Sequence, residues 1–248
     1  MLDKKSPSEI KILQTGGHKL AAVLHKVADS AKPGITGLEL DALAEQLIIK
    51  AGGQPSFKNY NGFPNSLCVS VNDTIVHGIP NSIPLKEGDI VGLDLGMRYK
   101  GFYTDMAVTV GVGRISAEAE KLLYATKKSL DVAISQVKPG NYISDIGRAI
   151  EEFIKPYGYG IVRDLSGHGV GREVHEEPTI PNFNPSRQIA QMFPGLVIAI
   201  EPMIIMGGNH KVVTSDNRWD VKSHDESLTA HFEHTVAVTD KGVLIITQ

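Results

Sequence analysis

The sequence predicts an α+β fold in which one arrangement is used twice, and three observations carry that expectation. Two amphipathic helices followed by short apolar strands recur along the 248 residues. Lys32-Pro33-Gly34 and Lys138-Pro139-Gly140 lie 106 residues apart, and the helices behind them match in register. Leu40 falls on Ile146, Leu43 on Ala149, Ala44 on Ile150, Leu47 on Phe153 and Ile48 on Ile154. One residue further out, Val91-Gly92-Leu93-Asp94 falls on Ile198-Ala199-Ile200-Glu201, so each half ends an apolar strand in an acid. The reading is an internal duplication about a pseudo-two-fold axis, with helices packed outside a largely antiparallel sheet. No linker divides the halves, and residues 4–248 are read as a single domain.

The elements follow from local chemistry. Ser6-Pro7-Ser8-Glu9 is a capping box with proline at the first helical position. Ile10, Leu13, Leu20, Leu24 and Val27 then keep helical spacing until Lys32-Pro33-Gly34 stops the run. Thr36-Gly37-Leu38-Glu39 opens a second helix that closes at Gly52-Gly53. Apolar runs bounded by turn residues predict strands at 66–71, 89–95 and 102–110. Ser116 caps a helix over 117–136 and another covers 143–155. Later strands are expected at 161–165, 196–201, 232–238 and 243–247.

Composition narrows the function. Apolar residues at 42%, charged residues at 21%, 25 glycines and 13 prolines describe an ordinary globular chain. A net charge of −3 provides no basic field for nucleic acid or anionic membrane. The single cysteine, Cys68, rules out an intrachain disulfide and a Cys-rich zinc finger. Without a signal-like or membrane-length apolar run, a cytoplasmic location is expected. Gly167-His168-Gly169-Val170-Gly171 lacks the lysine of a phosphate loop, and no Gly-x-Ser-x-Gly elbow occurs.

The acids point to metal chemistry. Asp94 and Asp105 flank a hairpin tipped by residues 97–102, and a turn centred between Tyr99 and Lys100 sets them directly opposite on one face. Gly92, Gly96 and Ala107 leave room on that face. Glu201 ends the run 196–200, and Glu233 alternates with His234 so that the two face opposite ways. Four acids at apolar strands need protons or cations, and two divalent ions neutralise them. His168 sits in a bare glycine loop, while His77 and His175 precede loop-forming residues. His18, His25, His210 and His224 read as surface residues. Oxygen donors with an imidazole suit Mn, Fe(II), Co or Zn.

Taken in order, Val76-His77-Gly78-Ile79-Pro80, Asp94-Leu95-Gly96, Thr104-Asp105, residues 167–171, His175-Glu176-Glu177-Pro178, Ile200-Glu201-Pro202 and Phe232-Glu233-His234-Thr235 resemble the type I methionine aminopeptidases across nearly the whole chain. The resemblance implies the pita-bread fold and removal of an N-terminal methionine from peptides and nascent chains when the second residue is small. It implies two divalent ions on Asp94, Asp105, His168, Glu201 and Glu233, with Asp105 and Glu233 bridging. Glu201 is also implied as general base, His175 as the oxyanion partner, and His77 as the contact to the scissile amide. Tyr60, Phe63, Cys68 and Trp219, with Phe57, match the methionine pocket; Asn72 and Thr229 match positions near a monovalent cation. The ribosome is an implied partner, nucleic acid and membrane are not, and a monomer is the default. Only 25 residues separate His175 from Glu201, too few for the type II insertion, and no Cys/His-rich extension stands at the start. A proline-specific peptidase of the same fold and a metal-free binding module are the rival readings.

Overall fold

The computed structural model describes residues 2–248. Its first half runs α1 (Pro7–Asp29), α2 (Gly37–Lys50), β1 (Gln54–Pro55), β2 (Leu67–Val71), β3 (Thr74–Val76), β4 (Ile90–Tyr99) and β5 (Phe102–Gly111). The second begins with α3 (Ala117–Ile134), α4 (Ile143–Ile154), β6 (Gly160–Ile161), β7 (Gly167–Gly169), β8 (Glu176–Ile180) and β9 (Val197–Ile200). It ends with β10 (Met203–Ile205), β11 (Val212–Thr214), β12 (Val221–Ser223), β13 (Thr229–His231), β14 (Glu233–Thr239) and β15 (Gly242–Ile245).

The expected helices form at the expected caps. Ser6 and Thr36 each accept from the backbone N–H three residues on, while Glu9 and Glu39 reach back to the cap, so both boxes close. The duplication is visible here too: Asp145 accepts from the backbone N–H of Tyr142 at 2.8 Å, as Glu39 does from Thr36. Leu40, Ala44 and Ile48 of α2 and their counterparts Ile146, Ile150 and Ile154 of α4 are all buried.

A nine-stranded sheet carries the order β1-β4-β5-β14-β9-β7-β8, with β2 added on β4 and β15 on β14, and every ladder is antiparallel. Its centre, β4-β5-β14-β9, is two equivalent strand pairs joined back to back. Two helix pairs cover it, each over its own core. Leu20, Leu24 and Val27 of α1 and Leu40 of α2 pack on Val91, Leu93 and Leu95 of β4. Leu122 and Leu130 of α3 and Ile146 and Ile150 of α4 pack on Ile198 and Ile200 of β9 and Val236 of β14. Alternation along each strand leaves the opposite sheet face for polar side chains. Asp41 on α2 accepts from the backbone N–H groups of Ser66 and Leu67 at 2.8 and 2.9 Å, fixing the start of β2.

Two expectations are corrected. The β4–β5 hairpin pairs Asp94 with Ala107 and Gly96 with Asp105, so the two acids are diagonal neighbours rather than directly opposite. The turn is Lys100-Gly101, with φ of 48° and 87°, the doubly positive geometry of a tight two-residue hairpin. Moving the turn centre by one residue changes the pairing by two, which keeps both acids on one face. The strand expected over 161–165 shrinks to Gly160–Ile161, while the polar stretch around His210 and His224 holds the short strands β11 and β12.

The chain start is pinned to the sheet by Lys5, which is 2% exposed. Its backbone N–H donates to the Gly195 carbonyl at 2.8 Å, and its ammonium pairs with Glu176 and, at 3.1 Å, with Asp3. Removing one partner of a buried pair strands the other charge. Lys5→Ala is therefore expected to cost about 3–5 kcal/mol of stability, read by urea titration. Lys58→Ala, at the exposed pair with Glu45, is expected to cost under about 1 kcal/mol.

Candidate metal centre

The four central strands each deliver one carboxylate to a single point. Asp94 lies in β4, Asp105 in β5, Glu233 opens β14, and Glu201 follows β9. His168 on β7 is set beside them because it pairs with Ala199 of β9. Its Nδ1 lies 2.8 Å from the Gly169 carbonyl, which can only accept. The ring proton is thus on Nδ1, and the Nε2 lone pair faces Oε1 of Glu201 at 3.6 Å.

Two triads could each hold an ion: Asp105, His168 and Glu233, and Glu201, His231 and Glu233, with donor atoms within 4.8 Å of one another in each. They share Glu233. Among the described residues no lysine or arginine pairs with any of the four acids; their charged-group neighbours are His168 and His231. Asp94 Oδ1, Glu233 Oε1 and His231 Nε2 are buried without a hydrogen-bond partner. Orphaned acceptors of this kind need a donor or a cation, so the residues fit divalent ions.

The electrostatics agree. Burial, then the neighbouring acids, pushes Asp94 and Glu233 well above the usual carboxylate range. Burial and Glu201 raise Asp105 to about 7, opposed by hydrogen bonds from Asp94 and the Met106 N–H. Burial alone raises Glu201 to about 8. The imidazoles move the other way, because burial penalises their cations: His168 and His231 to about 3 and His77 to about 4. Burial thus disfavours the charged form of acids and imidazoles alike, and cations between the acids would offset that penalty.

Above the acids lies a cavity of about 240 Å³, lined by Phe57, Tyr60, Phe63, Cys68, His77 and Trp219 among others. That is smaller than the roughly 300–1,000 Å³ of drug-sized sites and suits one side chain. Trp219 meets Phe63 edge-on with centroids 5.1 Å apart. Cys68 sits opposite Asp94 across the β2–β4 ladder, and burial followed by the repulsion of Asp94 pushes its thiol up, so it is an apolar wall rather than a nucleophile. His77 adopts φ 59°, uncommon for a non-glycine residue, and the loop behind it is held by the Ile79 N–H donating to Asp220 at 2.9 Å. That bond ties the loop of His77 to the loop of Trp219.

Every sequence-predicted metal, catalytic and pocket residue is thus brought to one cavity. Asn72 and Thr229 meet elsewhere, where the Thr229 N–H and hydroxyl donate to the Asn72 carbonyl at 2.9 and 2.8 Å. His18, His25, His210 and His224 are exposed, as expected. Two features go beyond the sequence reading. Tyr60 does more than line the pocket: its hydroxyl lies 2.9 Å from Nδ1 of His175. His231 joins the acids, 3% exposed, with Nε2 3.4 Å from Glu201 Oε2 and 4.0 Å from Glu233 Oε2. The alternation that places Glu233 and Thr235 on one face also places His231 there, and that was the available signal.

The comparisons with known proteins point to metallopeptidases. The model for metallopeptidase family M24 matches residues 11–240. The chain is similar to the methionine aminopeptidase of Clostridium perfringens, 43% identical over 100% of this chain and 99% of that one. Among solved structures it is similar to the methionine aminopeptidase of Thermotoga maritima, with a TM-score of 0.97, 38% identity and full coverage of both chains. It also shares its fold with a Xaa-Pro dipeptidase of Bacillus anthracis at a TM-score of 0.79 and 24% identity, over 99% of this chain and 62% of that one.

The raised acids set a pH dependence. Asp105 and Glu201 keep their protons to about 7 and 8 when folded, against ordinary values of 3.8 and 4.5. The folded chain then binds more protons than the unfolded one, so stability falls as pH rises through that range. The buried histidines oppose this only below about 6.5, their usual value. Chelator-stripped protein is expected to show a falling thermal midpoint from pH 6.5 to 8.5, and saturating Mn should remove the fall. A rising midpoint in stripped protein would contradict the electrostatics.

Proposed function

The chain belongs to metallopeptidase family M24, and from that premise we propose that it removes the N-terminal methionine of nascent proteins and peptides whose second residue is small. The observation that supports this most directly is the convergence of four carboxylates and three histidines at the end of a one-side-chain aromatic cavity. In this reading Asp94, Asp105, His168, Glu201 and Glu233 would hold two divalent cations, drawn from Co, Mn, Fe(II) or Zn. When bound, the ions supply Lewis acidity, acidifying a water and polarising the scissile carbonyl.

The chain's own residues do the rest. Glu201 takes the proton of the attacking water and returns it to the departing amine. The Tyr60 hydroxyl donates to Nδ1 of His175, which leaves the ring proton on Nε2, where it can donate to the developing oxyanion. His77, kept neutral by burial, contacts the scissile amide as a hydrogen-bonding group rather than as a cation. Phe57, Tyr60, Phe63, Cys68 and Trp219 receive the thioether, since polarizable sulfur packs well on aromatic edges. A monovalent cation at Asn72 and Thr229, action as a cytoplasmic monomer and work at the ribosome belong to the same reading. No helix among the described residues is long and apolar enough to cross a membrane.

Chelator-stripped protein, assayed with and without Mn or Co, is expected to release methionine from Met-Ala-Ser and Met-Val-Ser only when metal is added. Leu-Ala-Ser should stay intact, and Glu201→Ala should lower kcat about a thousandfold or more. Release of alanine from Ala-Pro-Ser would move the function to the proline-specific enzymes. No cleavage with any metal would favour a binding module.

A further inference from the structure

The duplication reveals what His231 is for. The central ladder pairs Glu233 with Ala107, so the pseudo-two-fold axis maps Asp105, Ala107 and Thr109 of β5 onto His231, Glu233 and Thr235. The hydrogen bonds obey this mapping. The Asp105 N–H donates to the Thr235 hydroxyl at 2.9 Å, which donates to the Asp105 carbonyl at 2.8 Å. In the same way the His231 N–H donates to the Thr109 hydroxyl at 2.9 Å, which donates to the His231 carbonyl at 2.7 Å. Asp94 and Glu201 are the matching acids of the two strand pairs. In one half Asp94 and Asp105 are diagonal neighbours on one face of the hairpin; in the other Glu201 faces His231 at 3.4 Å. His231 therefore stands where the first half has a carboxylate, held by an equivalent threonine clamp and aimed at the same point.

We propose that His231 is a positioning residue of the centre, donating its Nε2 proton to Oε2 of Glu201 and leaving Oε1, on the His168 side, for the cations. Nε2 is buried without a formed hydrogen bond, and its nearest carboxylate oxygens are Glu201 Oε2 at 3.4 Å and Glu233 Oε2 at 4.0 Å. A proton on Nε2 is attracted to both oxygens, whereas a lone pair would be repelled by them. Four carboxylates already match the charge of two divalent ions, so a neutral donor adds orientation rather than charge. The carboxylate of Glu201 is then held at Oε2 by His231, while Oε1, which faces the lone pair of His168 at 3.6 Å, is left for a cation. A carboxylate held at one oxygen is restrained from rotating about its terminal torsion. This rests on the proposed roles of Glu201 as ligand and base.

The test compares His231→Leu, similar in bulk without a donor, with His231→Gln, whose amide N–H can reach the same oxygen. His231→Leu should weaken Mn and Co affinity by calorimetry about tenfold to a hundredfold and lower kcat with little change in KM. His231→Gln should recover most of both. Equal behaviour of the two variants, whether both intact or both impaired, would overturn the proposal. Should the leucine variant fail to fold, the Co-loaded natural protein decides with ¹⁵N-histidine labelling. One strongly contact-shifted ring N–H, from His168, is expected; two would make His231 a ligand and overturn the positioning role. The isotherms and spectra need no peptide, so metal binding as described without methionine release would fail the proposed function and leave this inference standing.

Discussion

Repulsion among four buried carboxylates is the constraint around which this protein is built. Acids on adjacent strands of one sheet destabilise it unless something positive lies between them. The sheet nevertheless places Asp94, Asp105, Glu233 and Glu201 on its four central strands. What holds those strands in place is on the other face, where two helix pairs pack over two separate apolar cores. The cores need not distinguish metal-loaded from empty protein. They make the cluster rigid, so that its unfavourable charge is relieved by binding cations rather than by unfolding.

The two-fold relation supplies the frame of the centre, and departures from it supply the rest. The equivalent strand pairs bring matched acids, and the matched threonines Thr109 and Thr235 lock each half to the other through backbone groups. A strictly repeated sequence would produce a symmetric centre with no side for a substrate. Asymmetry enters where Ala107 faces Glu233 and where His231 replaces a second Asp105. It enters again in unrepeated segments, because Phe57, Tyr60 and Phe63 come from the link between α2 and β2, and Trp219 from the link between β11 and β12. The strand frame, the threonine clamps and the acid pair Asp94 and Glu201 repeat; Asp105, Glu233 and the pocket do not.

The same division explains what could be read from residues alone. Helices were legible because caps and apolar spacing are local, and Ser6, Thr36 and Ser116 all cap as their chemistry demands. The four acids were legible because a charge at the end of an apolar run is anomalous within a few residues. Hairpin register was missed by one turn position, since the tight turn at Lys100-Gly101 depends on positive φ at a lysine, which nothing in its neighbourhood signals. His231 was on the correct face by alternation, but its partner Glu201 lies far away in sequence and only the β13–β10 approach brings them together. The pocket residues are scattered over loops with no period at all, so resemblance located them where physical pattern could not.

Burial drives the acids up and the imidazoles down for one reason, because it penalises every charged form. The outcome is not symmetrical once function is considered. A histidine held as a cation here would compete with the metals for the carboxylates, as Lys or Arg would. Neutral imidazoles do not, and each then has one ring proton whose place is set by its partner. The Gly169 carbonyl keeps the proton of His168 on Nδ1, freeing Nε2 as a donor atom, while Nδ1 of His175 is engaged by the Tyr60 hydroxyl, which can donate as well as accept. The two rings lie 4.3 Å apart, each with one nitrogen engaged by a different kind of partner, a carbonyl and a hydroxyl. The unpartnered buried carboxylate oxygens give the centre its need for cations, and each neutral imidazole meets it with a nitrogen whose partner lies outside the acid cluster, the Gly169 carbonyl for His168 and the Tyr60 hydroxyl for His175.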